Sequence, residues 1–303
     1  MKIAAVLFFI LASFPSLSLA ALNIAGIENI TGLKGRYIEK EEVYRITIPH
    51  EELKVSALGI SLTPPQGLTS WAGFKKPRDK AILSGDIVLL EDQVNPVMSV
   101  ALDSGLSVTA LHNHFLRESP RVMFMHISGL GDEAVLANGL KRVLDKMKES
   151  LPAPPAPRRP RIGAGPLTQG VIEDALGEKV EQSNGALKAT LGRQTLLYGE
   201  VLGSSMGINS WAAFAGSDKE AVVNGDFVVF ENELQEVLKA LRASNIEITA
   251  IHNHLVMEVP RLVFIHYWGT GTSAGLAKGV RAALEAQVKA REEPPKHAAK
   301  DGR

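Results

Sequence analysis

The tripeptide His112-Asn113-His114 returns 140 residues later as His252-Asn253-His254, and each copy is followed at the same spacing by a third histidine, His126 or His266. From Gly67 to about Leu144 the match continues at that offset without a gap. Trp71 pairs with Trp211, Gly85-Asp86 with Gly225-Asp226, Glu91 with Glu231, and Pro120-Arg121 with Pro260-Arg261. A chain that repeats itself in this way must build one structural unit twice. Its 303 residues suffice for two units of ordinary domain size.

The boundaries follow from composition. Residues 1–20 read as a signal peptide: Lys2, a short apolar run, and Ser18-Leu19-Ala20 as a cleavage site. The first repeat domain is expected over 21–150 and the second over 164–290. Between them, 151–163 is a proline-rich, stiff linker, and 291–303 is a polar tail expected to be disordered. No stretch is long and apolar enough to remain as a transmembrane anchor after cleavage. The expected location is the periplasm or the exterior.

Within one repeat the hydrophobic spacing predicts the order ββββαββα. Val43 to Ile48 alternates as a strand, and Ser70 to Phe74 forms a second. Lys80 to Leu90 is expected as a hairpin turning at Ser84-Gly85, because its counterpart is Asn224-Gly225, a strong turn signal. Val94, Val97, Met98 and Ala101 follow helical spacing. Gly105 and Asn245 stand where a left-handed helix cap is needed. Two strands then carry the histidines, and a helix with Leu136, Leu140, Val143, Leu144 and Met147 on one face closes the unit. The fold class is α+β: two tandem homologous domains, each an antiparallel or mixed sheet with helices packed on one face.

Alternation places His112 and His114 on one side of a strand. If the following hairpin turns near Ser119, His112 lies opposite His126, and three imidazoles converge. His252, His254 and His266 repeat the arrangement. Three neutral imidazoles with one open position suit a transition metal, zinc foremost, with copper, nickel, cobalt or iron also accepted. The fourth ligand is water, Glu118 or Glu258, or else Asp86, Asp226, Glu91 or Glu231. These acids can equally orient an imidazole N–H. Glu118 and Glu258 are candidate general bases. Arg121 and Arg261 are candidate clamps for an anionic substrate, or surface ion-pair partners of Glu118 and Glu258. A metal-free acid/base or anion site, or simple packing of the histidines, are the alternative readings.

The 33 basic and 33 acidic residues balance, which argues against nucleic-acid binding. The absence of cysteine excludes thiolate nucleophiles, disulfides and lipid attachment at the cleavage site. The segments Gly85-Asp86-Ile87-Val88 with Glu91, and Thr109 to His114 through Pro120-Arg121 to His126, resemble the LppY/LpqO family of exported bacterial proteins and lipoproteins. That resemblance implies export and tandem halves but no settled activity. The histidine spacing alone is similar to the zinc site of acetolactate decarboxylase and its distant relatives, the plant and prokaryote conserved domains. It implies the same six histidines as ligands.

The expected function is therefore an exported protein with a three-histidine metal site in each repeat, binding or transforming a small anionic or carbonyl ligand. As an enzyme it would be a metal-dependent lyase or hydrolase. The rivals are a metal carrier or sensor without catalysis, and a structural envelope protein.

Overall fold

The protein is described from a computed structural model covering residues 21–149, 165–183 and 185–292. The expected signal peptide, the proline-rich linker and the tail beyond Glu292 lie outside the described residues. Among the described residues no helix is long and apolar enough to cross a membrane.

The first repeat runs α1 (Ile24–Thr31), β1 (Arg36–Ile38), β2 (Val43–Pro49), β3 (Ser56–Ala57), β4 (Ile60–Ser61), β5 (Thr69–Lys75), β6 (Ala81–Leu90), α2 (Val94–Asp103), β7 (Ser107–His112), β8 (Glu118–Ser119), β9 (Val122–Gly131) and α3 (Glu133–Glu149). The second runs α4 (Gln169–Leu176), β10 (Glu181–Ser183), β11 (Ala186–Gly192), β12 (Thr195–Leu197), β13 (Glu200–Leu202), β14 (Asn209–Gly216), β15 (Ala221–Phe230), α5 (Leu234–Ala243), β16 (Glu247–His252), β17 (Leu262–Gly271) and α6 (Ser273–Glu292). The fold is α+β with antiparallel sheets, as the spacing predicts. Helix α6 extends through Arg291 and Glu292, which the sequence assigns to the tail. Arg291 is held there by an ion pair to buried Glu233.

The two repeats share one sheet. Twelve strands run in the order β1-β2-β5-β6-β9-β7-β16-β17-β15-β14-β11-β10, joined at the centre by antiparallel β7 and β16, with Leu111 opposite Ile251. One continuous core fills the helix-covered face. It takes Met125 and Ile127 from β9, Ile265 from β17, and the buried stripes of α2, α3, α5 and α6. Helical spacing explains those stripes: Leu136, Leu140, Val143, Leu144 and Met147 of α3 are all buried. The expected caps hold, since Gly105 and Asn245 both have positive φ, 76° and 55°.

Two expectations are corrected. Lys80 to Leu90 is not a hairpin, because β6 and β15 are unbroken ten-residue strands. Their glycines serve close approach rather than turning. A Cβ on Gly85 would lie 2.8 Å from the Trp71 carbonyl oxygen, and one on Gly225 would overlap the Tyr267 ring and the Trp211 carbonyl. The histidine hairpin is also shifted in register. His126 faces Ala110, and His112 faces Phe124. A bulge at Thr109, and at Thr249 in the copy, accompanies this register.

Beside each bulge, where β7 and β16 pair only at Leu111 and Ile251, a backbone N–H and carbonyl find their partner in a side chain of the other repeat. Gln235 of α5 accepts from Val108 N–H at 2.9 Å and donates to its carbonyl at 2.9 Å. Reciprocally, Asn95 of α2 accepts from Ile248 N–H at 2.7 Å and donates to its carbonyl at 3.3 Å. Asn95 and Gln235 are equivalent positions 140 apart, so the seam is tied twice by a nearly two-fold pair of amides.

Replacing Gln235 by Leu leaves a buried N–H and carbonyl unpaired and should lower unfolding free energy by roughly 1–3 kcal/mol. Urea titration reads the change, and a loss under about 0.5 kcal/mol would refute the bracing role. Gly225→Ala should cost a similar amount, roughly 1–3 kcal/mol, through overpacking. A tolerant response would mean that the strand can part from Trp211 and Tyr267.

Candidate functional site

The odd-numbered side chains of β9 enter the main core, so Phe124 and His126 project from the opposite, helix-free face. There His112, His114 and His126 gather in the first repeat. The ring centroids of His112 lie 5.1 Å from His114 and 5.0 Å from His126. His112 Nε2 stands 3.1 Å from His114 Nε2. In the second repeat the corresponding centroid separations from His252 are 5.1 and 4.8 Å. The sequence-derived convergence holds although its register is two residues out, because a two-residue slip preserves the face.

The chain leaves the strand after His112. Asn113 donates its side-chain amide to the Phe115 carbonyl at 2.8 Å, and Asn253 does the same to Leu255 at 2.7 Å. This brace turns the backbone so that His114 folds flat onto Phe124, with centroids 3.4 Å apart and planes 8° apart. His254 stacks on Phe264 in the same way. Each phenylalanine is thus a floor for an imidazole, a role that hydrophobic alternation alone does not signal.

Asp86 joins the cluster from β6, directly opposite His126, as Asp226 on β15 is opposite His266. Asp86 Oδ2 lies 3.8 Å from His126 Nε2, while Asp226 Oδ2 lies 3.8 Å from His254 Nε2. One carboxylate therefore reaches two different members of the same triad in the two copies. Both aspartates are buried. Oδ1 of each, and Nε2 of His252, have no hydrogen-bond partner. Half-buried Trp71 and Trp211 flank them in the next strand, opposite Asp86 and Asp226 and capped by Arg45 and Lys188.

Burial sets the protonation states. It drives the Asp226 carboxyl up to about 7 against the opposing pull of His252, and raises Asp86 likewise. Burial first, and the neighbouring imidazoles next, push His112 and His254 down. Near neutral pH those two imidazoles carry free lone pairs.

The other predicted residues are placed differently. Glu91 and Glu231 are exposed at the strand ends. Arg121 and Arg261 are exposed as well, and Arg261 lies 3.9 Å from Glu231 rather than beside Glu258. Glu118 sits in β8 opposite Ala57, with Oε1 buried and unpartnered. Glu258 is buried, accepts from Leu262 N–H at 3.1 Å through Oε1, and leaves Oε2 unpartnered. Among the described residues no hydrogen bond or ion pair joins any of these six to a histidine. Nor is any group of three His, Cys, Asp or Glu side chains among them already arranged around one point as a metal requires.

A family model described as Domain of Unknown Function (DUF1259) matches residues 25–146 and again 170–286. The chain belongs to this family. The DUF1259 matches cover both repeats and both histidine clusters. No curated protein matches the chain. Among solved structures, the trimeric bacterial microcompartment shell protein PduB is 13% identical, with 84% of this chain and 91% of that chain covered and a TM-score of 0.20. The aspartate kinase from Synechocystis is 11% identical, over 70% of this chain and 40% of that one, with a TM-score of 0.15. Likenesses of that size carry no structural argument.

A raised carboxyl makes the folded state keep a proton that the unfolded chain releases. The stability this proton contributes is complete below pH 3.8 and is lost as pH rises through about 7. Asp226→Asn should therefore stabilise metal-free protein by roughly 2–4 kcal/mol at pH 8, the difference closing towards pH 4. Thermal melts in chelator at both pH values test this. An equal shift at both would assign the effect to packing.

Proposed function

We propose that each repeat holds one transition-metal ion, zinc foremost, on His112, His114 and His126 or on His252, His254 and His266. The support is an unmet bonding demand that recurs in both copies. Buried Asp86 and Asp226 each leave one oxygen, Oδ1, unpartnered and hold the other, Oδ2, 3.8 Å from an imidazole nitrogen of the cluster. The 3.1 Å between two imidazole nitrogens is close to the edge of a tetrahedral nitrogen set around zinc, about 3.3 Å from Zn–N bonds of about 2.0 Å. Completing the set needs side-chain rotation, and His126 is free to turn, with 43% of its side chain exposed.

Asp86 and Asp226 serve as fourth ligand or as the carboxylate that orients an imidazole N–H, a pairing common around bound metals. Phe124 and Phe264 hold one ring of each triad flat. Trp71 and Trp211 shield the carboxylates on one side. When bound, the metal supplies Lewis acidity towards a small anionic or carbonyl ligand. Glu118 and Glu258, with their unpartnered oxygens, are the proton acceptors within a few residues of each triad. Arg121 and Arg261 act as solvent-side guides for an anion. The reading fits an exported protein of LppY/LpqO type, with the mature chain beginning at Ala21.

A second reading, reversible metal carriage or sensing without chemistry, draws on one observation. Arg261 is turned towards Glu231, not towards the histidines. Turnover of any carbonyl or ester substrate by metal-loaded protein would separate catalysis from carriage.

Elemental analysis of untagged residues 21–303 tests the metal itself. Near two equivalents of zinc or another transition metal are expected, falling to about one in His112→Ala and to about none in His112→Ala/His252→Ala. Protein that stays metal-free after incubation with zinc, copper and nickel would end this proposal.

A further inference from the structure

The largest exposed apolar side chains are not scattered. Among the described residues, all those more than 60% exposed lie in two β-hairpins, in the short turn following the second, and in the loops beyond the His-Asn-His segments: Leu58, Ile60 and Leu116 in the first repeat, and Tyr198, Val201, Met206, Val256, Met257 and Val259 in the second. The second repeat is the more apolar at equivalent positions. Ser61, Gln66, Arg117 and Ser119, all exposed, are replaced by Val201, Met206, Met257 and Val259. Only Ile60 runs the other way, to Glu200. Met257 keeps the left-handed backbone of Arg117, φ 71° against 62°, so the loop is retained while its tip becomes apolar.

We propose that this surface of the second repeat is the interface of a homodimer, with β13 pairing antiparallel to β13 of a second copy across a two-fold axis. Three observations point to a second copy rather than to another partner. First, the edge is open. Strand β12 uses the outer edge of Leu196 to exchange two hydrogen bonds with Val259, of 3.0 and 2.9 Å. Leu196 and Val201 are opposite each other in the hairpin. Antiparallel alternation therefore sends the Val201 N–H and carbonyl outward on the far edge. A two-fold axis at Val201 lets it exchange the same pair of bonds with itself.

Second, the area is adequate. Tyr198, Val201, Met206, Val256, Met257, Val259 and Leu196 each expose on the order of 100 Å², so together they approach the roughly 800 Å² per partner of a standard interface. Third, an anionic membrane finds no electrostatic counterpart here. Residues 195–206 and 255–261 hold one basic side chain, Arg261, and it faces Glu231. A self-complementary patch needs no charge and satisfies the closed symmetry of most soluble homo-oligomers.

Sedimentation equilibrium of residues 21–303 tests the interface at micromolar concentrations. Two chains per particle are expected, becoming one in Val201→Asp/Met257→Asp. The matched first-repeat variant Leu58→Asp/Leu116→Asp should remain dimeric. Circular dichroism confirms folding of each, and metal content is measured alongside, so that loss of the dimer with metal retained separates this proposal from the metal centre. A wild-type chain that stays monomeric overturns the proposal, whether or not it sediments with phosphatidylcholine vesicles. So does a dimer that persists in the folded second-repeat variant.

Discussion

The reciprocal amide contacts at the seam hold the molecule to one arrangement. A bulge in β7 and another in β16 set the histidine strands in register against β9 and β17. At the seam beside each bulge a backbone N–H and carbonyl would otherwise be buried unsatisfied, at a cost of roughly 1–3 kcal/mol. Gln235 answers the first and Asn95 the second, each from the helix of the other repeat. Neither histidine strand is fully bonded within its own half. The two repeats therefore share one sheet, and both histidine clusters lie on its helix-free face.

That sheet divides the chemistry cleanly. Its helix-covered face holds one apolar core. Its other face keeps small satellite clusters, one per repeat, beside polar residues that lack partners. Burying Asp86 and Asp226 there works against folding unless a proton, an imidazolium or a cation compensates. Burial, with the neighbouring imidazoles, makes His112 and His254 resist protonation. In both copies a carboxyl is raised and one imidazole lowered, His112 in the first and His254 in the second.

Much of this was legible from residue order. The repeat offset, the helix stripes, the Gly105 and Asn245 caps, and the shared face of three histidines all depend on local periodicity. The misreadings share one cause. Ser84-Gly85 and Asn224-Gly225 look like turns because glycine tolerates positive φ, yet here glycine is needed for lack of a side chain, where Trp211 and Tyr267 crowd the strand. The hairpin register was two residues out because the loop between His112 and Val122 decides which residues meet, and its length leaves no signal in local propensity. The hairpins at Leu58-Gly59 and Tyr198-Gly199 fall where the two halves no longer align closely, although they occupy equivalent places in space.

Sequence by itself determined that the unit is built twice, that it is α+β, and that His112, His114 and His126 with their copies share a face. The faces of His112 and His126 follow from a period of two in strands and the helix stripes from 3.6, which any register of the same face preserves, while His114 reaches the cluster through the turn that Asn113 braces. Tertiary structure alone decided that the halves merge into one sheet, that Asp86 and Asp226 rather than Glu91 and Glu231 meet the histidines, and that Arg261 turns to Glu231. Those outcomes depend on which strand lies beside which, and contacts between residues about 30 to 150 positions apart leave no periodic trace in the chain.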